Sequence, residues 1–139
     1  MKPILLAEDS DELAERIQRS FHTAGIFNRI IPVADGLAAI VYLRGDREFG
    51  DRDRFPLPGV LLLDLRMPRL DGFDVLEWLN TEPRFADLLV VVLSGHESLK
   101  DIKHAYSLGA DAFLSKHCHV EELVGLMERF PGYWKRTAE

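Results

Sequence analysis

Cysteine is nearly missing from this chain: Cys118 stands alone among 139 residues. One thiol excludes an intrachain disulfide and a cysteine-rich metal site, and it suits a reducing compartment. Long hydrophobic runs are missing too. The start, Met1-Lys2-Pro3-Ile4-Leu5-Leu6-Ala7, turns acidic too soon for a signal peptide. No apolar stretch approaches the roughly 20 residues that a membrane span needs. Basic charge is in deficit, with 17 Lys and Arg against 23 Asp and Glu. The resulting net charge of −6 offers no patch to a phosphate backbone. Repeats and low-complexity tracts are absent. These gaps leave a single cytoplasmic globular domain, long enough to bury a core, that binds neither membrane nor nucleic acid.

What is present centres on Leu61-Leu62-Leu63-Asp64-Leu65-Arg66-Met67-Pro68. A short apolar run bounded by Pro58-Gly59 and Pro68 reads as a strand buried on both faces, with Asp64 at its carboxyl end. Ile4 to Ala7 repeats the pattern ahead of Glu8-Asp9, and Ser10 or Asp11 can cap a helix carrying Leu13, Ile17, Phe21 and Ala24 as far as Gly25. Ile30 to Val33 predicts a strand whose Pro32 belongs near an edge. Asp35-Gly36 opens a helix with Leu37, Ile40, Val41 and Leu43 as its apolar stripe. Phe73, Leu76, Trp78 and Leu79 mark a third helix, and Leu88 to Leu93 a strand ending in Ser94-Gly95. A helix over 98–108 carries Ile102, Ala105, Tyr106 and Leu108. A strand over 111–114 ends in Ser115-Lys116, and a last helix over 120–130 stops at Pro131-Gly132. Strand and helix alternate five times, the pattern of an α/β fold with a parallel sheet and helices on both faces. Residues 46–58, charged and without periodicity, read as a solvated surface loop.

Four strands finish in polar residues: Glu8-Asp9, Asp64, Ser94 and Lys116. Parallel strands point one way, so these side chains converge on one sheet edge, where open α/β sheets bind ligands. Three clustered carboxylates repel one another. A hard divalent cation such as magnesium, which takes oxygen ligands and phosphate oxygens, relieves that repulsion. Lys116 adds a compact positive charge and Ser94 a hydroxyl. The set suits attack of a carboxylate on a phosphoryl group, with cations stabilising the developing charge.

Glu8-Asp9, Asp64-Leu65-Arg66-Met67-Pro68 with Asp71-Gly72, Ser94-Gly95 and Gly109-Ala110-Asp111 with Lys116 together resemble the receiver domains of bacterial two-component response regulators. The resemblance covers about residues 3–130. It implies a flavodoxin-like (βα)5 fold with a five-stranded sheet of order 2-1-3-4-5. It also implies a receiver over 1–130, a tail over 131–139 and no separate output domain. Asp64 would then accept a phosphoryl group from a sensor histidine kinase. Glu8, Asp9, Asp64 and the backbone carbonyl of Arg66 would hold Mg2+. Lys116 would contact the phosphoryl group, and Ser94 and Phe113 would switch. Tyr42-Leu43-Arg44, the long loop and Trp134 resemble the single-domain regulators paired with bacterial phytochromes. Trp78 and Trp134 read as packing residues, Trp134 also as a subunit contact; Tyr106, Leu126 and Trp134, if exposed, suggest a homodimer through the last strand and last two helices.

The chain departs from the family at Lys116-His117, where Lys-Pro with a cis bond is usual. A cis bond before a non-proline costs about 2.5–4 kcal/mol, so a trans bond or a mobile turn is expected at 116–118. Two other classes stand beside the switch, which is not itself an enzyme. One is a receiver-fold binding module that works without phosphorylation. The other is a magnesium-dependent phosphatase, which needs a general acid where Arg66 stands, and arginine cannot fill that role. His117-Cys118-His119 does not make a zinc site, because successive side chains diverge and only one thiol is present.

Overall fold

The computed structural model describes residues 1–137. Its elements are β1 (Ile4–Ala7), α1 (Asp11–Thr23), β2 (Ile30–Val33), α2 (Gly36–Arg44), β3 (Val60–Asp64), α3 (Gly72–Asn80), β4 (Leu89–Ser94), α4 (Leu99–Ser107), β5 (Ala112–Ser115) and α5 (Val120–Arg129). All strands are parallel, in the order β2-β1-β3-β4-β5, the flavodoxin-like arrangement expected from the sequence. Pro32 lies on the edge strand β2, where its missing N–H costs no ladder bond. No helix among the described residues is long and apolar enough to cross a membrane.

Strand side chains alternate faces, and the core divides accordingly. Ile4, Leu6, Val60, Leu62 and Val91 pack against Ile17 and Phe21 of α1 and Leu123 of α5. Leu5, Leu61, Leu63, Val90 and Val92 pack against Ile40 and Tyr42 of α2, Val75 and Leu76 of α3 and Ala105 of α4. β3 is buried along its whole length because helices cover it on both sides. Each buried leucine there contributes about 1.5–3 kcal/mol.

The caps are local. Ser10 accepts from the Leu13 amide and Ser98 from the Asp101 amide. Asp71 and Asp74 form a reciprocal capping box on α3, and Gly45 ends α2 in the left-handed region.

Several sequence expectations need correction. On α2 the buried face is Ala39, Ile40, Tyr42 and Leu43; Leu37 is exposed and Val41 only half-buried. Residues 46–58 run over the surface as expected, but they are ordered and pack part of their length against α2. A 3-10 turn at Arg47–Gly50 brings Phe49 against Tyr42 and Phe55, with ring centroids 5.0 Å apart in each case. The Tyr42 hydroxyl donates to the Pro56 carbonyl at 2.8 Å. Leu126, expected at the surface, is buried at 3% exposure, and Trp134, at 6%, is a packing residue and not the exposed contact. Trp134 folds back on the α1–α5 core and its indole N–H donates to the Phe130 carbonyl at 2.8 Å. The amphipathic ring found a polar partner inside, so it has no need of water. Tail residues Glu139 and Ala138 lie outside the described residues.

Candidate functional site

Register puts the carboxyl ends of the strands level. Ala7 pairs with Leu63, Asp64 with Leu93 and Ser94 with Ser115. Asp64 and Ser94 are the last residues of β3 and β4, while Glu8, Asp9 and Lys116 follow directly on β1 and β5. The chain therefore delivers them to one edge from four different strands.

Asp64 and Glu8 are 1% and 4% exposed. Asp64 Oδ1 accepts the Arg66 amide at 3.1 Å, and Glu8 Oε2 accepts the Ser10 amide at 3.1 Å. Their other oxygens, Glu8 Oε1 and Asp64 Oδ2, have no hydrogen-bond partner among the described residues. Both face the Lys116 ammonium, at 3.6 and 3.1 Å. Asp9 is exposed but close: Glu8, Asp9 and Asp64 each offer a carboxylate oxygen within 4.8 Å of the others.

Burial pushes the Glu8 carboxyl up to about 7. The Asp64 charge and Asp9 push the same way, while the Ser10 amide and Lys116 oppose them. Burial alone would lower the Lys116 ammonium. The contact with Asp64, followed by the charges of Glu8 and Glu97, outweighs that and leaves it raised. One ammonium thus serves two buried acids, and its ion pairs are all that these two acceptor oxygens have. Buried acceptors short of donors are rare, and a cation is one group that satisfies them. An all-oxygen donor set of this kind fits a hard divalent cation.

The β3–α3 loop that carries the Arg66 carbonyl is held in an unusual shape. Arg69 and Leu70 have φ of 46° and 71°, left-handed values that side chains rarely adopt. Arg69 reaches the buried Asp35 carboxylate at 2.9 Å, and its carbonyl accepts the Leu37 amide. Gly36 is required beneath this loop, because a Cβ there would stand 2.1 Å from the Leu70 carbonyl oxygen. Gly72 answers a second close approach, 2.7 Å from the Asp64 carbonyl oxygen. From the other side, Arg66 Nη2 meets Asp101 of α4 at 2.7 Å.

Glu8, Asp9, Asp64 and Lys116 are therefore brought together as the sequence predicted. Ser94 is half-buried on the same edge, and Phe113 is half-buried against Tyr106 at 5.0 Å between ring centroids. The Lys116–His117 bond is trans, as expected, since no cis peptide occurs among the described residues. The turn closes through Cys118 at φ 48°, while Glu122 accepts from both the amide and the hydroxyl of Ser115. Burial pushes the Cys118 thiol up to about 12, so it is no nucleophile. Sequence reasoning missed Asp35, Arg69, Asp101 and Glu97. The first three find partners on other elements or loops, and Glu97 finds Gly95 within its own loop; periodicity carries no signal for either.

A family model described as Response regulator receiver domain matches residues 4–128. The "Probable methanogenesis regulatory protein FilR2" of Methanothrix harundinacea is 39% identical over 94% of this chain and 82% of its own length. Response regulator Rcp1 of Synechocystis is 31% identical over 98% of this chain and 90% of its own. Among solved structures, a response regulator in red light signaling of R. palustris is 33% identical over the full length of both chains, with a TM-score of 0.85. The Mn(2+)-bound form of Rcp1 aligns over 94% of both chains at 32% identity and a TM-score of 0.75. The phosphorylated cyanobacterial phytochrome response regulator RcpA aligns over 96% of this chain and 93% of its own, at 29% identity and a TM-score of 0.77.

Proposed function

This chain belongs to the response regulator receiver domain family, and from that premise we propose that it is a phosphorylation-dependent signalling switch whose phosphoacceptor is Asp64. The observation that carries this reading is the pair of orphan buried oxygens on Glu8 and Asp64 facing a single lysine. Such a pair is expensive for a fold and useful for a reaction that delivers a phosphoryl group.

Glu8, Asp9, Asp64 and the Arg66 carbonyl would hold Mg2+; the oxygen donor set and the manganese-bound relative support a divalent ion here. When bound, the ion supplies charge neutralisation for the acids and for phosphoryl oxygens. Asp64 Oδ2, the oxygen that faces Lys116 and not the Arg66 amide, attacks phosphorus. An O–P bond forms, the P–N bond to the donor imidazole breaks, and the leaving imidazole takes up a proton. Lys116 stabilises charge on the transferring oxygens, and the Arg66 amide keeps Asp64 Oδ1 oriented. The donor in this reading is a sensor histidine kinase of the phytochrome type, supported by the relatives described as phytochrome response regulators.

Acyl phosphate adds about 1.5 to 2 negative charges at the edge. Ser94 and Lys116 are drawn to it, and Phe113, half-buried beside Tyr106, turns into the space that Ser94 leaves. Reversing a two-state equilibrium takes about 5.5 kcal/mol. Two charged hydrogen bonds at about 1.5–3 kcal/mol each, with one aromatic buried, reach that total. The output is protein contact in the cytoplasm through α4, β5 and α5, including a homodimer. Leu99, Tyr106, Val120 and Val124 are the exposed apolar residues there and replace Leu126 and Trp134 in that role. The test is mass spectrometry after acetyl phosphate with and without Mg2+. A single phosphoryl adduct on Asp64 that requires the metal is expected; an adduct elsewhere refutes the assignment.

A further inference from the structure

Glu97 lies in the loop between β4 and α4, between the switch hydroxyl of Ser94 and the helix. An acid just ahead of a helix ordinarily serves the helix N-terminus. Glu97 does not. Ser98 is the N-cap and accepts from the Asp101 amide. The Glu97 carboxylate instead turns back and accepts the Gly95 amide at 2.6 Å, a short bond typical of a charged acceptor.

That amide lies beside the site. A Cβ built on Gly95 would stand 3.4 Å from Cδ and 3.7 Å from Cε of Lys116. Gly95, Glu97 and Lys116 line one recess of about 350 Å3 with Arg16, Arg66 and His96. Glu97 is the acid in that lining. The acid therefore holds a backbone donor and shares a recess with an ammonium, the two kinds of group that a phosphoryl oxygen requires.

We propose that Glu97 is an internal stand-in for the phosphoryl group: its carboxylate occupies the Gly95 amide in the resting chain and is expelled when Asp64 carries a phosphoryl group. This rests on the phosphoacceptor reading of Asp64. Two anions compete for one donor, and the phosphoryl group brings the larger charge. Expulsion frees the Gly95 amide for a phosphoryl oxygen and drags residues 96–98, with the Ser98 cap, away from their resting position. Glu97 is thus a positioning residue that sets the threshold of the switch and couples the site to α4.

The experiment compares the intact chain with Glu97→Gln and Glu97→Ala, using beryllofluoride with Mg2+ as a non-covalent phosphoryl mimic. The amide resonance of Gly95 reports the bond directly. In the wild type it is expected to shift when beryllofluoride is added; in Glu97→Ala it has left its resting position beforehand. Glu97→Ala is expected to lower the beryllofluoride midpoint about five- to tenfold, the effect of removing one like charge near a surface site. Glu97→Gln, which keeps an acceptor without the charge, falls between. A wild type that takes up both acetyl phosphate label and beryllofluoride, while all three chains share one midpoint, overturns this proposal alone. A wild type that takes up neither overturns the phosphoacceptor reading and this one with it.

Discussion

The two ends of the sheet treat buried polar groups in opposite ways. At the amino end, every conspicuous demand is met. Asn28, 7% exposed, donates to the Lys2 and Tyr133 carbonyls at 2.9 Å each and accepts the Lys135 amide at 2.7 Å. Arg52 donates to the Tyr42, Leu43 and Phe55 carbonyls, closing the last turn of α2, whose final carbonyls lack intrahelical partners. At the carboxyl end two acids are buried with one lysine between them, and two oxygens have no hydrogen bond. The larger cavity, about 690 Å3 and lined by Lys2, Arg44, Phe85 and Tyr133, is at the satisfied end. Size points to the wrong place; unmet electrostatic demand points to the site. Stability is built at one end, and the other end gives some of it up for reactivity.

The sharpest way to break the contrast is Asp64→Asn. Labelling by acetyl phosphate is expected to vanish, while thermal stability without metal holds or rises, because one of two repelling buried charges is gone. A fall in melting temperature would show that Asp64 is a structural acid after all.

Arg52→Ala probes the other end. Three carbonyls lose a donor, each at a cost of up to about 1 kcal/mol where water can partly replace it. A loss of about 2–3 kcal/mol in chemical denaturation is expected, with the rate of labelling unchanged. A comparable loss of labelling would mean that the two ends are not independent.

Stability against pH separates the ends without mutation. The Glu8 carboxyl is raised from 4.5 to about 7 in the fold. Below about 4.5 both folded and unfolded chains hold the proton, and Glu8 contributes nothing. As pH rises toward 7 the unfolded chain ionises first, so the folded state holds more protons and stability falls. The metal-free chain is expected to lose on the order of 2 kcal/mol between pH 5 and pH 7.5. Mg2+ should flatten that slope, because it stabilises the ionised form. Urea unfolding in chelator and in Mg2+ measures both curves, and an unchanged slope would separate Glu8 from the metal.

The contrast also sorts what the sequence made legible. Glu8, Asp9, Asp64 and Lys116 could be read because each follows a short apolar strand, and parallel strands carry such residues to one edge. β3 could be read because a strand covered on both faces has no polar alternation. The amino end was opaque. Arg52 looked like one of many charges in 46–58, yet its three acceptors lie three to ten residues away in the chain. Trp134 could be read as a packing residue or as an exposed subunit contact, and the sequence did not choose; its neighbours Tyr133 and Lys135 are tied to Asn28, more than 100 residues away. The stripe on α2 was misplaced because the helix is apolar nearly all round, and Tyr42 is buried where Leu37 is not. Strand-end chemistry leaves a pattern, whereas side-chain bonds to loop and helix-end backbone leave none.

The smallest expected effect belongs to Arg69, which joins the two regimes. Its side chain is largely exposed, but its partner Asp35 is buried and also accepts the Ala38 amide at 2.7 Å. The Arg69 backbone is left-handed, and it belongs to the loop whose Arg66 carbonyl is proposed to join the acids as a metal ligand. In Arg69→Ala, water can reach Asp35 Oδ2, so the loss of stability should be only about 1 kcal/mol. Alanine tolerates left-handed φ no better than arginine, so without the ion pair the loop should relax toward ordinary backbone angles. Mg2+ affinity should then weaken a few-fold at constant Asp9 and Glu8, an effect disproportionate to the stability change. Arg69→Lys, which keeps the charge without the guanidinium fork, should recover part of it. If isothermal titration gives equal Mg2+ affinities for all three chains, the loop is shaped by Gly36 and Gly72 alone, and the ion pair with Asp35 is a surface contact of the satisfied kind.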